Sequence, residues 1–302
     1  MIAMQNFNVT NIGKFSGHKG AVYALEACES VFYTGGADGY IVSWDKNNPD
    51  MGKLLVQVNR PVYSLLFHKD LNWLLCGTAS GNLHVVDLTI GKEIRNIELH
   101  TNGIFDLQLI AGNLISCGGD GKVNVCNLPD LALIKQEHYS NKSARALAFN
   151  TYNKHLAVAY SDYHIRIFLL PQMQVIEDLH AHTNSVFTVA YTRDGSELLS
   201  GGRDVQLKTW IVNNNYSLDI DIPAHTLHIN HISFNPSGNF FVTVGMDKMV
   251  KIWETSTMQL LKVLDKDRSN GHLSSVNKCK WLNDTEFVTV SDDRTAILWK
   301  ID

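Results

Sequence analysis

Histidine, serine or threonine, and aspartate recur together along this chain. His182, Ser200 and Asp204 form one set, and His18, Thr34 and Asp38 form another. These are the residue types of a hydroxyl nucleophile activated by an imidazole that a carboxylate orients. A hydrolase needs that constellation once. Here it returns as His225, Thr243 and Asp247, as His272, Thr289 and Asp293, and as His100, Ser116 and Asp120. In four of the five sets a tryptophan follows the aspartate by six residues: Trp44, Trp210, Trp253 and Trp299. No Gly-x-Ser-x-Gly nucleophile elbow accompanies them. A triad is not copied repeatedly into strand-like apolar segments, so the sets read as a device that fastens strands.

Other chemistry is weaker. "HTLHINH", residues 225–231, has the look of a metal cluster. His225 already belongs to a repeated set, and His228 and His231 are three apart, which on a strand places them on opposite faces. "CGGDGKV", residues 117–123, lacks the spacing of a phosphate-binding loop and opens no helix. The sequon Asn8-Val9-Thr10 has no secretory context. Cys28, Cys76, Cys117, Cys126 and Cys279 are odd in number, form no Cys-x-x-Cys, and sit in apolar segments. They read as reduced core thiols. No catalytic residue, metal or cofactor is expected.

The elements that carry the sets are strands. Aligned on the tryptophan position, seven segments end at Trp44, Val86, Cys126, Phe168, Trp210, Trp253 and Trp299, at spacings of 42, 40, 42, 42, 43 and 46 residues. Each unit begins with an alternating apolar run such as "VYALEA" or "VFTVAY". A Gly-, Asn-, Asp- or Pro-containing turn follows, then a second apolar run, a tight turn, a third run ending at the aromatic, and a fourth such as "QLLKVL". Period-two alternation between turn signals means strand. The Asp-Gly pairs at 38–39 and 120–121 suit tight hairpins. No run has a convincing helical period. Four strands in 40 to 46 residues, seven times over, describe an all-β, seven-bladed β-propeller of four-stranded antiparallel blades.

The sequence resembles the WD40-repeat family over essentially its whole length. In that family a His before the first strand, a Ser or Thr in the second, an Asp in the tight turn and a Trp in the third form a buried hydrogen-bonded tetrad. The resemblance implies that role for His18–Thr34–Asp38–Trp44, His182–Ser200–Asp204–Trp210, His225–Thr243–Asp247–Trp253 and His272–Thr289–Asp293–Trp299. Unit three keeps His100, Ser116 and Asp120 but has Cys126 for Trp. Unit two has Ser80 and Val86 where Asp and Trp belong. Unit four keeps Asp162 beside Val158 and Phe168. After Trp299 only "KID" remains, so the last unit lacks a fourth strand. Residues 7–15, "FNVTNIGKF", are expected to supply it and close the ring, within one domain over residues 1–302.

A chain of 302 residues with net charge −4 has no signature of a general nucleic-acid or membrane-surface binder. No stretch approaches the length of a membrane span. "MIAMQNFNVT" has neither a positive region nor a sustained apolar run, so no secretory signal is expected and the setting reads as cytoplasmic.

The resemblance implies a partner-binding face at the channel opening. One set of positions there follows the first apolar residue of each inner strand: Tyr23, Tyr63, Phe105, Arg145, Phe187, Asn230 and Asn277. The other precedes each tetrad Asp or its substitute: Ala37, Ala79, Gly119, Ser161, Arg203, Met246 and Asp292. Aromatic residues and arginine are the types enriched at hot spots. The candidates are Tyr23, Tyr63, Phe105, Arg145, Phe187, Arg203, Met246 and Asp292. The long last interval carries "DKDRSNG", residues 265–271, expected as a charged loop on the same face. Lys46, in "DKNNPD", is expected on the opposite face as a bystander. The sequence therefore reads as a non-catalytic scaffold or adaptor, a monomeric propeller within a complex that binds a protein or peptide. A channel-site enzyme or a subunit of a nucleic-acid-handling complex, without direct nucleic-acid contact, are the alternatives.

Overall fold

A strand that must be covered on both faces is apolar throughout, whereas a half-covered strand alternates. The second strand of every unit is of the first kind. In all seven, only the first residue is less than fully buried, as in Val31–Gly36 and Glu197–Gly202. The fourth strands, such as Lys92–Glu98 and Ser217–Pro223, alternate between exposed and half-buried positions. Each unit therefore spans from a sheet-covered interior to a wet rim.

The computed structural model of the protein describes residues 7–302. They form seven four-stranded antiparallel sheets. Six are continuous in sequence, at 22–57, 62–98, 104–138, 144–180, 186–223 and 229–264. The seventh joins three C-terminal strands to Val9–Ser16, which pairs antiparallel with Thr295–Ile301 from Val9 opposite Ile301 to Ser16 opposite Thr295. The first strand of each sheet packs against the first strands of its neighbours, so seven blades ring a central channel. The closing strand begins at Val9 rather than at residue 7. Phe7 instead packs edge-on against Phe240 of blade six, with ring centroids 5.4 Å apart. Residues 1–6 of the expected single domain lie outside the described residues.

Seven apolar clusters hold the ring, one at each junction between blades. Phe15, Val288 and Leu298 of blade seven meet Val22, Phe32 and Trp44 of blade one, for example. No blade buries both of its faces alone, so closure is a condition of stability. The paired glycines of the repeat serve this packing. A Cβ on Gly35 would lie 2.5 Å from Val62 Cγ1 of the next blade, and one on Gly36 would lie 2.8 Å from both His18 Nδ1 and Asp38 Oδ1. The first glycine admits the neighbouring blade and the second leaves room for the His–Asp pair.

Two expectations need correcting. Residues 265–271 are not a plain loop: Lys266–Ser269 make a helical turn whose first N–H groups are capped by Asp265, which accepts from Arg268 N at 2.7 Å. Asn270 O then accepts from Asn11 Nδ2 at 2.9 Å, tying this turn to the closing strand. Lys46 is no bystander. Its Nζ lies 2.6 Å from Glu286 Oε2 in blade seven, so it also stitches the closure. Among the described residues no helix is long and apolar enough to cross a membrane.

Candidate functional site at the channel mouth

The four complete sets are hydrogen-bonded relays. In blade one, Trp44 Nε1 donates to Thr34 Oγ1 at 2.8 Å, Thr34 Oγ1 lies 2.7 Å from His18 Nε2, and His18 Nδ1 lies 3.1 Å from both Asp38 oxygens. The tryptophan N–H can only donate. With the threonine hydroxyl donating on to Nε2 and Nδ1–H donating to the carboxylate, every donor in the relay has an acceptor. Asp38 also accepts from Lys19 N and Tyr40 N, so it bolts the loop before the inner strand to the turn before the third. The same pattern holds at His182–Ser200–Asp204–Trp210, His225–Thr243–Asp247–Trp253 and His272–Thr289–Asp293–Trp299. The hydroxyls are buried in strand interiors, where no substrate reaches them.

Burial alone pushes the Asp120 carboxyl up. The His100 imidazole and the N–H groups of Thr101 and Lys122 outweigh that and hold it at about 2. Asp38, Asp204, Asp247 and Asp293 lie below the usual carboxylate range by the same kind of balance. Burial pushes His18 down, against the pull of Asp38.

Blades three and four contain substitutes that the sequence pattern did not show. In blade three, Cys126 replaces the tryptophan. Asn124, fully buried, donates to Leu99 O at 2.7 Å and accepts from Gln136 Nε2 at 2.9 Å. In blade four, Asp162 has Arg166 instead of His, at 2.9 Å, and Arg166 extends to Asp178 and lies 4.7 Å over the Tyr160 ring. Blade two has a local chain from Thr78 through Ser80 and Asn82 to Asn96.

The tetrads fix the rim, and the rim presents the candidate residues. Every inner strand has a register shift at its second residue, which leaves Tyr23, Tyr63, Phe105, Arg145, Phe187, Asn230 and Asn277 unpaired on a bulge. A bulge re-aims its side chain. One residue from each blade lines a single cavity of about 440 Å³, together with Lys278, so the cavity lies on the ring axis. Beside it, Ala37, Ala79, Gly119, Ser161, Arg203, Met246 and Asp292 each donate a backbone N–H to the carbonyl just before the adjoining inner strand, at 2.7–3.0 Å. The two sets thus share one face. Arg203, Met246 and Asp292 are exposed, whereas the four bulge aromatics and Arg145 are half-buried.

Around the cavity the side chains touch in order. Tyr23 meets Tyr63 edge-on at 5.6 Å, Tyr63 stacks on Phe105 at 5.6 Å, and Arg145 lies 4.1 Å over Phe105 and 5.0 Å over Phe187. Phe187 continues to His228 at 5.8 Å. The remaining two positions are stitches: Asn230 donates to Ser275 Oγ and Val276 O, and Asn277 to Val22 O and Asp292 Oδ1.

A further cavity of about 620 Å³ carries Asp106, Gln108, His231, Lys278 and Lys280. Asp106 accepts from Leu107 N and Leu147 N, one with each oxygen. Glu26 pairs with Lys280 at 3.2 Å and holds that ammonium above its usual range. His231 lies 3.5 Å from Cys279 Sγ, and burial holds it well below the usual imidazole range. His225, His228 and His231 therefore point to three different surroundings. Among the described residues no three His, Cys, Asp or Glu side chains converge on a metal position.

A closed ring of seven blades fastened by His–Asp–Ser/Thr–Trp relays is a WD40-type β-propeller. The WD domain, G-beta repeat family matches residues 9–45, 173–210, 217–254 and 260–300, just over half of the chain, and the chain belongs to this WD40 family. The first match begins with the strand that closes blade seven. WD repeat-containing protein 90 of Xenopus tropicalis is 30% identical over 156 residues, covering 48% of this chain and 8% of that protein. Striatin of Mus musculus is 23% identical over 283 residues, 82% of this chain and 36% of that protein. The guanine nucleotide-binding protein subunit beta of Dictyostelium discoideum is 27% identical over 140 residues, 44% of this chain and 39% of that one. The chain thus spans well under half the length of these curated relatives. The solved WD40 beta propeller domain of Doa1 superposes with a TM-score of 0.87 at 18% identity over 97% of each chain, which shows the fold.

Proposed function

We propose that the protein is a non-catalytic interaction scaffold that binds a partner protein or peptide on the face carrying the channel mouth. The observation that carries this reading is the ring of bulge residues around the cavity of about 440 Å³, with Tyr23, Tyr63, Phe105, Arg145 and Phe187 in continuous contact. Half-buried aromatics and arginine around a concavity are the make-up of an interface hot spot. Three of them, Tyr63, Phe105 and Arg145, lie in residues 46–172, the stretch between the family matches. The scaffold reading is supported by kinship with WD40 proteins, among them a guanine nucleotide-binding protein subunit. It is also supported by the channel carboxylates. Asp106 and Glu26 are both engaged by N–H groups or an ammonium, so both are committed to holding the inner strands together. Five free cysteines, four of them buried, support a reducing, cytoplasmic setting.

The test is calorimetric titration of a partner recovered by affinity purification. The double variant Arg203→Ala, Tyr63→Ala is expected to bind at least about 30-fold more weakly at an unchanged melting temperature. Lys69→Ala, an exposed residue in the turn at the opposite end of blade two, is expected to bind as the parent does. Loss in the Lys69 variant with unchanged affinity in the double variant would move the site to the other face.

A further inference from the structure

We propose that the channel mouth is a receptor for one anionic side chain, the Glu or Asp carboxylate of a partner peptide, gripped by Arg145 and Lys278 between aromatic walls. This rests on the reading of the mouth as the docking face and specifies what that face recognises. Arg145 is clamped on both sides, 4.1 Å from the Phe105 ring and 5.0 Å from the Phe187 ring. A guanidinium carries five N–H donors around its edge and stays protonated in proteins. Among the described residues none of those donors has a hydrogen-bond acceptor, and no carboxylate lies within ion-pair distance of Arg145 or of Lys278.

The carboxylates nearby are occupied elsewhere. Asp106 spends both oxygens on the Leu107 and Leu147 N–H groups. Glu26 faces Lys280. Asp292, on the rim, accepts from Asn277. No acidic residue lines the mouth cavity, while both unpaired cations do. Arg203 on the rim adds a third positive charge on the Phe187 side. There it depresses His228, which burial has already pushed down.

A half-buried charge without a partner is unfavourable, and an incoming anion relieves that. The Phe105 and Phe187 rings crowd the guanidinium from the two neighbouring blades, and its unbonded N–H edge is what an incoming anion can meet. A planar carboxylate meets that edge with two parallel hydrogen bonds. Because the rings already hold the fork, little ordering remains to be done on binding.

The experiment selects displayed random heptapeptides on the immobilised protein. Recovered sequences are then synthesised and their affinities measured by fluorescence anisotropy. Sequences that share a Glu or Asp are expected. Amide replacement of that residue and Arg145→Met should each weaken binding by at least about 30-fold, and the two losses should not add. Lys278→Met should weaken binding in the same direction, and Arg145→Lys should rescue only in part. Melting temperatures certify that each variant is folded. Peptides that lose affinity with Tyr63→Ala yet carry no acid, or ignore Arg145→Met, would overturn the carboxylate receptor while keeping the face. Peptides indifferent to both Tyr63→Ala and Arg203→Ala would overturn the face itself. A phosphoserine replacement binding tenfold more tightly than Glu would reassign the seat to phosphate. Recovery of no peptide above background would count against both readings.

Discussion

At the scale of single residues, the molecule depends on polar groups that are costly to bury alone. Asp204 accepts from His182 Nδ1, Thr183 N and Gln206 N. Asp204→Ala strands the His182 Nδ1–H inside the blade and releases the N–H groups of Thr183 and Gln206, and a buried unsatisfied group costs about 1–3 kcal/mol. Ser80→Ala, in blade two, removes only a local bond to Asn82 and a contact with Thr78. Urea denaturation should show the first variant losing at least about 2 kcal/mol and the second well under half of that. Equal midpoints would contradict the account of the tetrads. Acid should act on the same groups. The tetrad aspartates have carboxyls depressed in the folded state, so their contribution is full above the unfolded value and is lost as pH falls toward the folded one. His18 is also depressed, so below about pH 6.5 the unfolded chain takes up its proton more readily. Both act in one direction. The urea midpoint should fall from about pH 6.5 downward and most steeply between about pH 5 and 2, where the Asp carboxyls are protonated. A midpoint at pH 3 equal to that at pH 7 would exclude this.

At the scale of elements, closure is the feature to test. Phe15, 1% exposed, is the inward anchor of the strand Val9–Ser16 and lies 4.8 Å from Phe32 and 5.7 Å from Trp44 across the junction of blades seven and one. Phe15→Ala should cost about 3–5 kcal/mol, as large-to-small changes in a close-packed core do. A loss below about 1 kcal/mol would mean that the strand is not holding the ring. The strands, their number and the closing role of the N-terminal segment are readable from the chain because period-two alternation and the Asp–Trp interval are local. The tetrad partners are readable because one pattern is repeated. What escapes is whatever depends on register across strands. Asn124 finds Gln136, and Arg166 finds Asp178, as cross-strand neighbours just ahead of a shift at Val125/Cys126 or Ile167/Phe168. Lys46 finds Glu286 only because the ring brings residues 240 apart into contact. Alternation predicts which residues face inward but not which neighbour each one meets.

At the scale of the whole molecule, the blades divide their work. Blades one, five, six and seven have complete relays, whereas blades two, three and four have replaced parts of theirs and carry Tyr63, Phe105 and Arg145 at the mouth. A closed ring holds seven bulge residues around one cavity, so the proposed binding asks for little rearrangement of the backbone. The candidate positions are legible in the sequence because each follows the first apolar residue of an inner strand. The contact order around the mouth, from Tyr23 to Phe187, is not, since it exists only once the ring is closed. The most direct measurement is amide hydrogen exchange of the protein alone and with its purified partner. Slowed exchange is expected in the segments 101–106, 141–146 and 183–188 that border the mouth, and unchanged exchange in the opposite-face turns 69–72 and 151–154. Protection of those turns with none at the mouth would contradict the proposed docking face.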